Sequence, residues 1–310
     1  MINFRYHVVS LTAVFLALAI GLVVGTAALN GPAADTLGDQ VDALRKANIG
    51  LRERVTGLED QANREEQFVN AAAPIMLDGK LANRRVLIVT LTSGRTHLEG
   101  VTSKLTIAGA RPVGTITLQD KFFQPEESTA LLELASKSPA SVPVTSLPVN
   151  TDGVETSSAL IAAVLLDTKL TVSANDLNEV LTAYSKAGYL STELPQPWAG
   201  PAEAVVFVSG QPAVDRQAGT KNAATAMALT QFDKVSVAVV AGVLGGDGNL
   251  VSQVRDDAAL AKTISTVDNA STAQGQVTSA LALWEQLVRN QVGHYGVGPK
   301  STALVPQEKK

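Results

Sequence analysis

The sequence predicts an α/β protein of three consecutive parts: a single N-terminal transmembrane helix, a parallel coiled-coil stalk, and a Rossmann-like domain whose mostly parallel sheet is flanked by helices. Three observations predict it. Residues 8–29 contain no Asp, Glu, Lys or Arg, apolar residues then recur at alternating steps of four and three from Leu37 to Ala62, and beyond Arg85 short apolar runs alternate with helical patterns. The expected division is a cytoplasmic N-terminus at 1–7, a membrane helix at 8–29, a stalk at 36–70, an extracytoplasmic domain at 85–292 and a C-terminal tail at 293–310.

At about 1.5 Å per residue the uncharged run reaches about 33 Å, enough for a hydrocarbon core of about 30 Å. The apolar region of a cleaved signal spans only about 7–15 residues, so the length favours a retained anchor; Thr26, Ala27 and Ala28 would form the cleavage site of the alternative. Arg5 precedes the span, whereas Asp35 and Asp39 follow it with no base before Arg45. The positive-inside rule therefore places the N-terminus in the cytoplasm and the rest of the chain outside. Ala17, Gly21 and Gly25 fall at spacing four, a small-residue face on which two helices can approach closely; ordinary membrane glycines are the alternative. Arg5, Tyr6 and His7, at the cytoplasmic border, are candidate contacts for a membrane-bound protein partner.

The stalk follows a heptad. Leu37, Leu44, Leu51 and Leu58 occupy d, and Val41, Asn48, Val55 and Ala62 occupy a, with Val69 next in phase and Glu65 breaking d. β-Branched residues at a with Leu at d favour two parallel strands, and a buried Asn at a fixes their register. Arg54 at g would face Glu59 at e of the second chain. An amphipathic helix packed on its own domain would show a wider apolar stripe than a strict a/d seam, so the expected partner is a second copy, a parallel homodimer.

Pro74 is expected to stop the stalk. Candidate strands cover 86–91, 113–118, 204–208, 235–241 and 263–267, mostly continuous apolar runs as in strands buried on both faces. Candidate helices lie near 98–108, 126–136, 155–166, 176–187, 222–230, 249–262 and 272–290. Their alternation points to a layered α/β fold with a mostly parallel sheet. Prolines 139, 143 and 148 mark one irregular connection, and prolines 195, 197 and 201 around Trp198 mark another in the stretch 191–201.

Chemistry is sparse. The chain has no cysteine, three histidines, 45% hydrophobic and 17% charged residues, which removes disulfides, thiolate nucleophiles and cysteine-based metal sites. Its net charge of -4 argues against a nucleic-acid partner. The sequence after the first strand, Thr90-Leu91-Thr92-Ser93-Gly94-Arg95, carries neither a dinucleotide fingerprint nor a phosphate loop, and no GxSxG elbow occurs, so no enzyme activity is expected. A candidate pocket joins Ser93, Arg95 and His97 to Gly245, Gly246 and Asp247 of the glycine-rich stretch 242–248, both at carboxyl ends of strands. A polar loop and a turn-forming loop are the plainer alternatives. For copper(I), which prefers thiolate or thioether ligands, the chain offers only Met1, Met76 and Met227 with His7, His97 and His294, scattered along its length, so no cofactor is evident and the metal ligands are unknown.

The opening Met1-Ile2-Asn3-Phe4-Arg5-Tyr6-His7-Val8-Val9-Ser10-Leu11, running into Ala13-Val14-Phe15-Leu16, resembles that of the mycobacterial copper transport protein B (MctB) family. Ser265-Thr266-Val267-Asp268-Asn269, Gly275-Gln276, Gly293-His294-Tyr295-Gly296 and Leu304-Val305-Pro306 are similar to the family's C-terminal pattern. The resemblance implies an actinobacterial envelope protein of copper efflux or tolerance, a pore-associated outer-membrane component, and copper as a ligand on that ground alone. It also implies a role in cell separation through a membrane-bound partner and activation of a peptidoglycan hydrolase. It carries no established ligating or catalytic residue onto this chain.

Two functions follow as expectations. One is a copper-transport component. The other is a non-catalytic dimeric scaffold or signal coupler whose outer domain recruits or regulates an envelope enzyme. An outer-membrane pore requires a closed barrel of strands that alternate apolar and polar over about 9–11 residues, and these strands are short, solidly apolar and separated by helices.

Overall fold

The computed structural model describes residues 4–29, 32–138, 142, 147–148, 151–170 and 172–307. Met1, Pro139 and Pro143 lie outside the described residues. By its contacts the chain divides into two units, Met1–Glu65 and Glu66–Lys310.

Helix α1 (Phe4–Leu29) is predominantly apolar beyond His7, and its stretch Phe4–Ala27 is long and apolar enough to cross a membrane. Helix α2 (Pro32–Leu77) runs for 46 residues. In the first unit its leucines at d are open to solvent, Leu44 being 70% and Leu58 65% exposed.

Pro74 does not stop this helix. It lies inside α2, where it removes one N–H from the ladder. The following turn is nonetheless held, because Ala73, Leu77 and Leu81 are fully buried among the strands and helices of the second unit and the Asp78 N–H donates to Pro74 O at 3.1 Å. Val69, in phase with the a positions, also packs on that core. The α/β domain therefore begins within the expected stalk, ahead of residue 85, since Val69, Ala73 and Leu77 recur at steps of four on one helix face. Lys104 Nζ on Asn70 Oδ1 (2.6 Å) and the Ala273 N–H on Glu66 (3.2 Å) flank that face.

The second unit continues as β1 (Arg85–Leu91), α3 (Arg95–Ile107), β2 (Arg111–Leu118), α4 (Ser128–Ser136), α5 (Gly153–Leu166), α6 (Ala174–Lys186), β3 (Leu190–Glu193), β4 (Ala204–Val208), α7 (Ala218–Asp233), β5 (Val237–Ala241), α8 (Leu250–Asp256), β6 (Ser265–Val267), α9 (Ala273–Arg289) and β7 (His294–Tyr295). Among the described residues the strands form one seven-stranded sheet in the order β3-β2-β1-β4-β5-β6-β7. Every pairing is parallel except β3 with β2.

Period-two alternation divides the strand side chains between two cores. Leu87, Val89, Val205 and Phe207 face α4 to α8, whereas Val86, Ile88, Val206 and Val208 face α3, α9 and the end of α2. Both faces are covered, so β4 and β5 read as unbroken apolar runs and β1 as one interrupted only by Thr90 after its leading Arg85.

Three expectations need correction. The stretch 191–201, expected as an irregular joint, begins inside β3, an edge strand of the polar sequence Leu-Ser-Thr-Glu that has no apolar run to announce it. The helix expected over 249–262 ends at Asp256, because the Asp257 carboxylate accepts the Ala259 and Leu260 N–H groups (2.7 and 3.0 Å) and starts a separate 3-10 turn, Leu260–Lys262. The expected tail at 293–310 instead adds β7 to the sheet, and Tyr295 bridges further to Ala303. Residues 308–310 lie outside the described residues.

Candidate functional site

The chain leaves β1 toward β2 on one side and β4 toward β5 on the other, so adjacent β1 and β4 form the point where the strand order reverses. Open α/β sheets place their binding crevice beyond the carboxyl ends of such a pair. A cavity of about 340 Å³ lies there. Its walls come from Leu91 at the end of β1 and Ser93 after it, Asp120 and Phe123 after β2, the segment 209–215 after β4, Lys221 and Asn222 of α7, and Gly248, Leu250 and Gln253 at α8.

Glycine makes the crossing of the two strand ends possible. A Cβ at Gly210 would lie 1.9 Å from Ser93 O, and one at Gly94 would lie 2.3 Å from Val208 O. Through this close approach the Gly210 N–H donates to Ser93 Oγ at 3.2 Å. Much of the remaining wall is internally bonded. Asn222 exchanges hydrogen bonds with the Ala213 backbone (3.0 and 3.2 Å), and Gln253 donates to Asn222 O and Gly248 O (3.1 and 2.7 Å). Lys221 Nζ sits 2.6 Å from Asp215. That hydrogen bond, with one from the Gln217 N–H, holds the Asp215 carboxyl below its ordinary range. Ser209 differs: it is 1% exposed, and its Oγ has no hydrogen-bond partner among the described residues.

Of the residues proposed from sequence for a pocket, Ser93 lines this cavity. Arg95 instead borders a shallow groove with Glu99 and Thr102 along α3. His97 is half-buried beside Thr96, and burial holds its imidazole below the ordinary pKa. Gly245 and Gly246 form an exposed turn with positive φ (99° and 80°), and Asp247 O accepts from Asn222 at 3.5 Å. Buried Asn249 shapes this loop by donating to Val243 O and Gly245 O (2.6 and 3.3 Å). Gly248 alone of the loop reaches the cavity wall. Ser209, Asp120 and Lys221 carry no sequence signature, although Ser209 directly follows a strand end, the position that could have flagged it.

No three His, Asp or Glu side chains gather into a possible metal site among the described residues. Met76 is exposed near the end of α2, and Met227 is partly buried on α7. At the N-terminal unit Arg5, Tyr6, His7 and Ala17 are exposed, and a Cβ at Gly21 or Gly25 would meet nothing within 4 Å. The exposed positions of α2 include Leu37, Val41, Asn48, Leu51, Val55 and Ala62.

The C-terminal pattern forms a buried clamp. Arg255 and Asp268, with side chains 2% and 0% exposed, pair at 2.8 Å. Arg255 also donates to Thr266 Oγ1 (2.9 Å), Tyr295 O (2.8 Å) and Pro299 O (2.9 Å). Asp268 accepts the Val297 and Gly298 N–H groups, both at 2.9 Å. A Cβ at Gly296 would fall 2.0 Å from Asp268 Oδ1, so this position requires glycine. The Tyr295 hydroxyl donates to Glu285. Burial first, then that carboxylate, raises the phenol's pKa.

His294 belongs to the same network. Its Nε2 lies 3.1 Å from Ala261 O, which can only accept, so Nε2 carries the proton and Nδ1 accepts from the Thr266 hydroxyl at 2.9 Å. Burial, opposed by the Ala261 hydrogen bond and reinforced by Arg255, holds its pKa below 6.5. A base with a depressed folded-state pKa stabilises fully above its unfolded value, and that stability is lost as pH falls from 6.5 through the folded pKa. Urea unfolding over a pH series is expected to show a shallower acid loss in His294→Asn than in the parent, with His97 contributing equally to both. Equal slopes would contradict a neutral buried His294.

A family model described as "Copper transport outer membrane protein, MctB" matches residues 1–306. The chain is 29% identical over 314 residues to "Copper transporter MctB" of Mycobacterium tuberculosis (strain ATCC 25618 / H37Rv), covering 96% of this chain and 97% of the relative. It is 28% identical over 332 residues to "Copper transporter MctB" of Mycobacterium leprae (strain TN), covering 99% and 100%.

Proposed function

The chain belongs to the MctB family of copper transport proteins, and we propose that it serves copper export and tolerance as a non-catalytic, dimeric, single-pass envelope component rather than as the conduit itself. In this reading α1 anchors the chain in the cytoplasmic membrane with Arg5, Tyr6 and His7 inside. The α2 helices of two copies pair in parallel, and the α/β domain works outside. The order β3-β2-β1-β4-β5-β6 supports a Rossmann-like, doubly wound reading of that domain.

The observation that carries the proposal is the solvent-exposed leucine row of α2, with Leu44 at 70% and Leu58 at 65% exposure on a heptad seam. A seam of that kind is buried by a second helix. The sheet ends at β3 and β7, whereas a membrane-spanning sheet closes so that no edge meets lipid. Copper is therefore read as cargo of an assembly to which this chain belongs.

Vesicles containing the purified full chain and a copper-sensitive dye are expected to admit copper no faster than empty vesicles. The same full chain should restore copper tolerance to cells deleted for it. Copper entry that scales with reconstituted protein, or a failure to restore tolerance, would overturn the reading.

A scaffold or signal coupler that controls envelope remodelling and cell separation is the second reading. Phe68 and Ile75, 74% and 85% exposed near the end of α2, favour it as a surface for another protein.

A further inference from the structure

The switch-point cavity has a chemical character of its own, independent of copper. We propose that it binds a neutral, hydroxyl-rich small molecule, a mono- or disaccharide, through Ser209, Ser93 and Asp120.

The volume comes first. About 340 Å³ stands at the small end of the roughly 300–1,000 Å³ typical of ligand pockets. The polar groups then select the class. Ser209, a residue of the cavity wall, has a buried Oγ with no partner among the described residues, and a buried hydroxyl left unpaired is destabilising. An apolar ligand would leave it so. Ser93 Oγ accepts the Gly210 N–H and keeps its own hydrogen to donate. Two residues of the cavity wall thus carry hydroxyl donors, which a ligand offering acceptors would suit.

Charge excludes the anionic alternatives. The Lys221 ammonium is matched by Asp215 at 2.6 Å, which leaves Asp120, exposed at the cavity wall, as the unbalanced charge among the lining residues. A phosphate or carboxylate ligand would meet that carboxylate. A ligand hydroxyl would instead donate to it, and such charge-assisted hydrogen bonds are about twice as strong as neutral ones. Phe123, Leu91 and Leu250 supply the apolar wall on which the C–H face of a sugar ring can lie. A sugar hydroxyl, both donor and acceptor, satisfies Ser209, Ser93 and Asp120 together.

The test is calorimetric titration of the full chain, held in a detergent without a sugar headgroup, with glucose, N-acetylglucosamine and cellobiose, and with inorganic phosphate as the anionic comparator. Saturable binding of at least one sugar in preference to phosphate is expected. Ser209→Ala should weaken it about fivefold, and Asp120→Asn about tenfold or more. Asp120→Asn should melt with the parent and Ser209→Ala at or above it, because removing an unpaired buried hydroxyl relieves its cost; should Ser209→Ala fail to fold, the exposed Asp120→Asn decides alone. Absence of saturable binding by all three sugars would overturn the proposal. Preferential phosphate binding, or parental sugar affinity in the folded variants, would also overturn it.

Discussion

Asp268→Ala will destabilise the α/β domain by about 3–5 kcal/mol, because it leaves the Arg255 guanidinium buried without its counter-charge. Arg255 is 2% and Asp268 0% exposed, and they meet at 2.8 Å. Removing the carboxylate strands neutral donors as well as the charge. The Val297 and Gly298 N–H groups lose their acceptor, so the segment after β7 loses its attachment to β6. The Arg255 bonds to Thr266, Tyr295 and Pro299 would remain, but they cannot neutralise the charge. Urea unfolding followed by Trp198 and Trp284 fluorescence, with both tryptophans in the second unit, reads this loss. The control is Asp268→Leu combined with Arg255→Met, which removes both charges and should cost less than Asp268→Ala alone, since apolar replacement of a buried pair is often near neutral. A single variant as stable as the parent would contradict a structural role for the pair.

The second large effect concerns the stalk. On the proposed pairing of α2, Leu44→Ala together with Leu51→Ala is expected to leave the full chain monomeric, because truncating a buried leucine typically costs about 2–5 kcal/mol. Each 1.4 kcal/mol is about tenfold in association, so the pair of changes moves the equilibrium by several decades. In one copy these side chains are exposed, so the isolated chain gains no packing from them. Sedimentation in detergent should report the loss of half the mass, with helix content in the second unit retained. An unchanged mass would contradict pairing through α2.

How far the sequence could be read depends on which forces leave a local trace. β1, β4 and β5 are legible because strands covered on both faces are dominated by apolar residues, and Val237–Ala241 and Ala204–Val208 fall inside the expected runs. β3 and β7 are not legible, because a polar edge strand and a two-residue strand are held by their neighbours rather than by their own pattern. The end of α2 misleads for the same reason. Val69 keeps the heptad phase but is claimed by the domain core, a choice made by tertiary contact.

The site is legible only in part. Ser93 stands at the strand end that topology favours, and the glycines at 245, 246 and 248 announce a tight turn, their φ values being 99°, 80° and 79°. Ser209 is a single serine with no motif around it, and only the sheet order brings it beside Ser93. No local pattern in the sequence pairs Arg255 with Asp268, yet the fold buries both against each other.

The measurement that tests parallel pairing most directly exploits the absence of cysteine from the chain. Asn48→Cys places one thiol at an a position, where two parallel, in-register helices bring equivalent residues face to face. Oxidation of membranes carrying this variant should yield a reducible dimer, whereas Lys46→Cys, on the outer f position, should remain monomeric. A monomeric Asn48→Cys chain under the same oxidant, or equal cross-linking at both positions, would contradict a parallel α2 dimer.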